Sequence, residues 1–168
     1  MQQLGNIHQI KAIVIVVMIL GISPAVNASK ALPLDKLHMP EGFTISIFAE
    51  VDNPRQLAID NAGVVYAGSR RGGKVHAIAD LDGDGIADVV KVVAKGLSMP
   101  SGIAIRDNQL YVAAVNSILR SESLGDILKK TPTFTTIYQG FPKDRHHGWK
   151  FIDFGPDGLL DVPVGAPC

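Results

Sequence analysis

Three segments of the chain repeat one pattern: "NPRQLAIDNAGVVYAG" from Asn53 to Gly68, "MPSGIAIRDNQLYVAA" from Met99 to Ala114, and "HGWKFIDFGPDGLLDVPVG" from His147 to Gly165. Each reads as strand, turn, strand. Aligning Pro54 with Pro100, and Gln109 with Gly158 at the turn, gives spacings of about 46 and about 49 residues, in the range of β-propeller blades. A unit repeated at that interval buries its apolar faces by stacking on its neighbours. Leu57-Ala58-Ile59 and Ile103-Ala104-Ile105 are short apolar runs bounded by turn residues, as expected of inner strands covered on both faces. Outer strands are predicted over Lys74–Ile78, Val89–Ala94 and Phe134–Tyr138, and a helical turn within "SESLGDILKK", Ser121 to Lys130. The fold class is therefore all-β, a β-propeller with about two to three blades, where a closed ring takes about four to eight. An open fan of blades exposes strand edges and an apolar blade face. The chain is accordingly expected to be part of a longer protein.

Composition adds a leader and excludes one class of partner. The hydrophobic content of 46% is raised by the apolar run Ala12 to Ile22, which follows Lys11 and precedes Pro24. That run is too short to span a bilayer and fits the core of a secretory signal, with Val26 and Ala28 flanking a cleavage point. Residues 1–28 are expected to be removed, leaving 29–168 as a periplasmic or secreted protein with no stable membrane anchor; an uncleaved anchor is the alternative. The leader takes with it one of the 16 basic residues and none of the 16 acidic ones, so the mature charge is 15 minus 16, or −1. Nothing in that balance indicates nucleic acid, and Arg70-Arg71 and Lys74 around Gly72-Gly73 read as a solvated hairpin turn. Cys168 is the one cysteine and has no partner for an internal disulfide.

Between two predicted outer strands lies "DLDGDGIAD", Asp80 to Asp88. Asp80, Asp82 and Asp84 fall at positions one, three and five of a calcium loop, Gly85 supplies the bend, Ile86 offers a carbonyl, and Asp88 holds position nine. Four crowded carboxylates repel one another, and a hard cation relieves this through oxygen ligands. Position twelve is Lys91, where a helix-loop-helix site carries a bidentate glutamate. The spacing points to a structural calcium ion; a solvated Asp/Gly turn without an ion is the alternative.

With "HMPEGFTISIFAE", "GSRRGGKVHAIADLDGDGIADVV", "GLSMPSGIAIRDNQLYVAAVNSILR" and "RHHGWKFIDFGPDGLLDVPVGAPC", the mature chain resembles the soluble glucose/sorbosone dehydrogenase family, in particular its sorbosone dehydrogenase-like branch. The resemblance implies an exported six-bladed propeller that oxidises a sugar with pyrroloquinoline quinone, supported by calcium. It also implies a catalytic base eight residues before the first glycine of the "GPDG" turn. That glycine is Gly155 and the base is His147, which takes a hydroxyl proton while hydride leaves the same carbon. Trp149 is then a candidate wall for quinone or sugar, though a packing role is the commoner one for a large aromatic. If the segment is extended, His146 and His147 point to opposite faces, and His146 is structural. Asp161 stands where the family usually has an aromatic residue, Asp153 interrupts an apolar strand, and the family's quinone-binding arginines and lysine belong to later blades. The rival readings are a calcium-dependent lactonase-type propeller hydrolase, which needs carboxylates around the channel, and a calcium-stabilised binding or scaffold module without catalysis.

Overall fold

The computed structural model describes residues 32–165, so the predicted leader and Cys168 lie outside the described residues. Two compact units are distinguished, with the boundary in sequence between His38 and Met39. The described part of the first holds a 3-10 turn over Leu34–Lys36, closed by Leu37 N donating to the Leu34 carbonyl at 3.1 Å.

All the strands among the described residues belong to the second unit. One four-stranded antiparallel sheet contains β1 (Pro54–Ile59), β2 (Val65–Ser69), β3 (Lys74–Ala79) and β4 (Val89–Lys95) in sequence order. A second repeats the arrangement with β5 (Gly102–Arg106), β6 (Gln109–Ala113), β7 (Ser117–Ser121) and β8 (Phe134–Gln139). A two-stranded piece, β9 (Asp153–Phe154) with β10 (Leu160–Asp161), follows. The predicted outer strands are all present, each longer by a residue. The third inner strand is shorter than its apolar run suggests, because Gly148 to Ile152 is used in contacts to the other two sheets rather than in a ladder.

Local chemistry explains the hairpins. Asp107 and Asn108 have φ of 50° and 58° between the paired residues Arg106 and Gln109, the doubly left-handed two-residue turn that suits the twist of antiparallel strands. In the β1–β2 hairpin, Asp60 accepts from the amides of Ala62 and Val64 and from the Tyr66 hydroxyl, each at 2.9 Å. Burial and this carboxylate push the Tyr66 hydroxyl far up, so it stays protonated as a donor. The turn after β9 closes with Gly158 N donating to Gly155 O at 2.9 Å. The predicted helical turn is one turn long: Lys130 N donates to Asp126 O at 2.9 Å, while Leu124 and Ile127 point into the core.

Two apolar layers join the sheets. Tyr66, Val75, Ala77 and Val93 of the first blade pack with Ile103, Leu110 and Val112 of the second. Ala104, Ala113 and Ile118, on the opposite face of that second blade, pack with Ile152 and are flanked by Phe154 and Leu160. The second blade is therefore covered on both faces. The first is not: Leu57 and Ile59 are 60% and 65% exposed, which corrects the expectation that both inner strands are covered on both sides. Their side chains alternate with Ala58, which does meet the core, so one face of β1 is covered and the other is open.

Candidate functional site

The starts of the three repeats come together. Pro54, Arg55 and Gln56 of the first, Ser101 of the second, and Trp149, Lys150 and Phe151 of the third line a cavity of about 260 Å³. A second concavity of about 370 Å³ opens beside it between His147, Trp149, Phe151 and the segment Pro163 to Gly165 that follows β10. Arg55, Ser101 and Lys150 occupy one position of the repeat, at the offsets of about 46 and about 49 residues already noted.

Polar bonds across the blades fix this convergence. The Gln56 side chain donates from Nε2 to Ile152 O at 2.7 Å, while its Oε1 accepts from the amides of Ile103 and Ile152, each at 3.1 Å. Ser101 Oγ donates to Lys150 O at 3.0 Å and accepts from Lys150 N at 3.1 Å. Lys150 is buried, and its ammonium donates to Val115 O at 2.6 Å and Gly148 O at 3.0 Å, 4.9 Å from the Phe141 ring centre. Desolvation pushes its pKa down. Sequence reasoning missed Gln56, Ser101 and Lys150 as site-building residues. For Ser101 and Lys150 the available signal was a polar side chain recurring at the repeat position of Arg55; Gln56, which falls opposite Gly102 and Phe151, had no such signal.

His146 and His147 lie in a turn and are not extended. His147 has φ of 56°, and the two imidazoles stack with centroids 4.2 Å apart and an interplanar angle of 23°. The expectation that they point to opposite faces is therefore corrected; alternation holds only for extended backbone. Left-handed residues also precede the other inner strands, at Asn53 (φ 52°) and Met99 (φ 49°), so this bend belongs to the repeat. Gly148 follows because a Cβ there would collide with the Asp144 carbonyl. Trp149 meets the His147 ring edge-on at 5.9 Å, and the Arg70 guanidinium lies 3.8 Å above the indole centre. Arg70 is thus not the plain solvated turn residue expected of its hairpin. Its Nε is buried without a hydrogen-bond partner.

The acidic loop is separate, in the β3–β4 hairpin. Carboxylate oxygens of Asp80, Asp82 and Asp88 come within 4.8 Å of one another. Asp80 accepts from Gly83 N at 2.7 Å and Gly85 N at 2.9 Å, and these bonds hold its pKa below the usual carboxylate range. Asp88 accepts from Leu81 N at 2.7 Å. The Asp84 carboxylate accepts from Ile86 N at 2.8 Å and is not one of the trio. The loop is anchored where Ala87 N donates to Phe48 O at 2.8 Å.

Residues 29–166 match the family described as "Domain of unknown function (DUF7133)". A comparison with curated proteins finds no match. Among solved structures, the holo form of the pyranose dehydrogenase PQQ domain from Coprinopsis cinerea is similar with a TM-score of 0.56 and 18% identity, over 67% of this chain and 28% of that one. The iodide structure of a Trichoderma reesei carbohydrate-active enzyme of family AA12 gives a TM-score of 0.48 and 16% identity, over 62% and 27%. The first likeness shows the fold, a set of β-propeller blades. The chain spans about a quarter of the length of these structures. No helix among the described residues is long and apolar enough to cross a membrane.

Proposed function

The chain belongs to the DUF7133 family, and we propose that it forms blades of a quinoprotein oxidoreductase acting on a sugar, exported by a cleaved leader. The observation that carries this reading is the convergence of His147 and Trp149 with the starts of three inner strands on one concave face. Pyrroloquinoline quinone, when bound, supplies a two-electron acceptor for hydride. The residues present suit such a planar anionic group: an indole wall at Trp149, with the cations of Arg55 and Arg70 near it.

The chain's own contribution is proton transfer and positioning. Removing hydride from an alcohol or lactol carbon builds positive character there, and taking the hydroxyl proton at the same time avoids a high-energy cation. The His147 imidazole is exposed on the concave face and accepts that proton, then returns it to solvent. Phe151 and Trp149 offer apolar surface for a sugar ring. The lactonase-type reading requires carboxylates at this convergence. The three-carboxylate cluster found among the described residues is in the β3–β4 hairpin instead.

In the full-length protein loaded with the quinone, His147→Gln is expected to lower turnover by about a hundredfold or more with quinone binding retained, and His146→Gln by much less. Equal losses in the two variants, or an undiminished rate in His147→Gln, would overturn the assignment.

Calcium is proposed at the Asp80 to Asp88 loop, as a structural ion. The trio of Asp80, Asp82 and Asp88 supplies hard oxygen donors close enough to share one cation, with Asp84 and the Ile86 carbonyl as the further ligands suggested by spacing. Titration calorimetry should show calcium uptake that Asp82→Asn weakens. Equal inertness toward calcium and magnesium removes the idea.

A further inference from the structure

Resting on the reading of His147 as proton acceptor, we propose that Lys150 is its positioning residue, the buried ammonium clamping the turn that presents the imidazole to the side of the second blade. A cation that is only 4% exposed and bonded to carbonyls rather than to a carboxylate is an expensive way to fill space, since an apolar side chain of similar volume would pack there without desolvating a charge. What the ammonium does is fix backbone. Gly148 N donates to Arg145 O at 3.3 Å, holding the peptide plane between His147 and Gly148. Lys150 Nζ takes the Gly148 carbonyl, holding the next plane, and anchors it to Val115 O in the β6–β7 connection. Ser101 Oγ grips Lys150 by its own amide and carbonyl, so the clamp is itself tied to the start of β5.

His147 needs such support. A left-handed φ of 56° at a non-glycine residue is a strained conformation that persists only where its surroundings fix it. Asp144, His147, Gly148 and Lys150 border a recess of about 10 Å³, room for no more than a water molecule, so the turn is tightly held on the clamp side. On the other side the imidazole opens to the concave face. Lys150 touches neither reacting group and acts through the turn.

The test combines kinetics of the full-length quinone-loaded protein with proton–carbon NMR of its histidine rings. Lys150→Met should lower kcat about tenfold while the sugar KM and the quinone affinity stay within about twofold, because a small misplacement of a proton acceptor affects the chemical step. The His147 ring cross-peak, assigned by its loss in His147→Gln, should broaden or split in Lys150→Met, with that of the buried His76 in β3 unchanged. An unaltered His147 cross-peak in the folded variant overturns the proposal whatever the kinetics, and so does a raised KM at constant kcat. A disturbed cross-peak alongside a fully active His147→Gln supports the clamp and removes the catalytic reading of His147. Should Lys150→Met unfold, seen as loss of the His76 cross-peak too, the same readings on Lys150→Gln decide, since its amide still caps one carbonyl.

Discussion

The inner strands β1 and β5 carry almost the same sequence pattern and meet opposite fates. In β5, Ile103 is wholly buried and Ala104 is 4% exposed, because the strand is flanked by a blade on each side. In β1, Leu57 and Ile59 are mostly exposed, although Ala58 between them reaches the core. Burial of a blade strand is thus a property of its neighbours. An apolar run of this kind states that two faces are to be covered, and the number of adjacent blades decides how many are. Gln56 belongs to the covered face of β1 and uses it fully, bridging to Ile103 and Ile152.

The sharpest break of that comparison is a matched pair of truncations. Ile103→Ala should destabilise the chain by about 4 kcal/mol through lost burial and a residual cavity, against less than about 0.5 kcal/mol for Ile59→Ala. Urea unfolding followed by the fluorescence of Trp149, the chain's one tryptophan, measures both. Similar costs would mean that β1 is covered on both faces in solution. Gln56→Leu comes next, at about 2 kcal/mol, because two amides and a carbonyl at the blade junction lose their partner. An unchanged unfolding midpoint would show that water replaces the side chain and that the junction is looser than its bonds suggest. The smallest effect is expected in the third repeat, where Asp161 pairs directly with Asp153 across β9 and β10. Removing this like-charge contact with Asp161→Asn should stabilise by a few tenths of a kcal/mol at low salt, and the gain should vanish near 1 M salt as screening takes over.

The elements that a few neighbouring residues control were legible. The turns of the repeats, among them Gly155 to Gly158, and the acidic loop depend on interactions within several residues, whereas the Asp60 cap and the left-handed angles of Asp107 and Asn108 come from the structure. The repeat spacing likewise gave the four-stranded sheets, since antiparallel strands joined by short turns pair with their sequence neighbours. The candidate site was legible only in part. His147 and Trp149 were singled out, but the stacking of His146 on His147 was missed, because it follows from a left-handed backbone angle at His147.

By itself, then, the sequence determined the all-β class, the hairpins, the acidic loop and the histidine pair ahead of a tight glycine turn. Tertiary structure alone decided that Gln56, Ser101 and Lys150 meet beside that pair, and that Arg70 covers Trp149. The physical reason is the range of the interactions. A turn closes over several residues and leaves its signature in their identities, whereas Gln56 to Ile152 and Ser101 to Lys150 are bonds across 96 and 49 positions. They form only once the stacked apolar faces have brought three strand ends together.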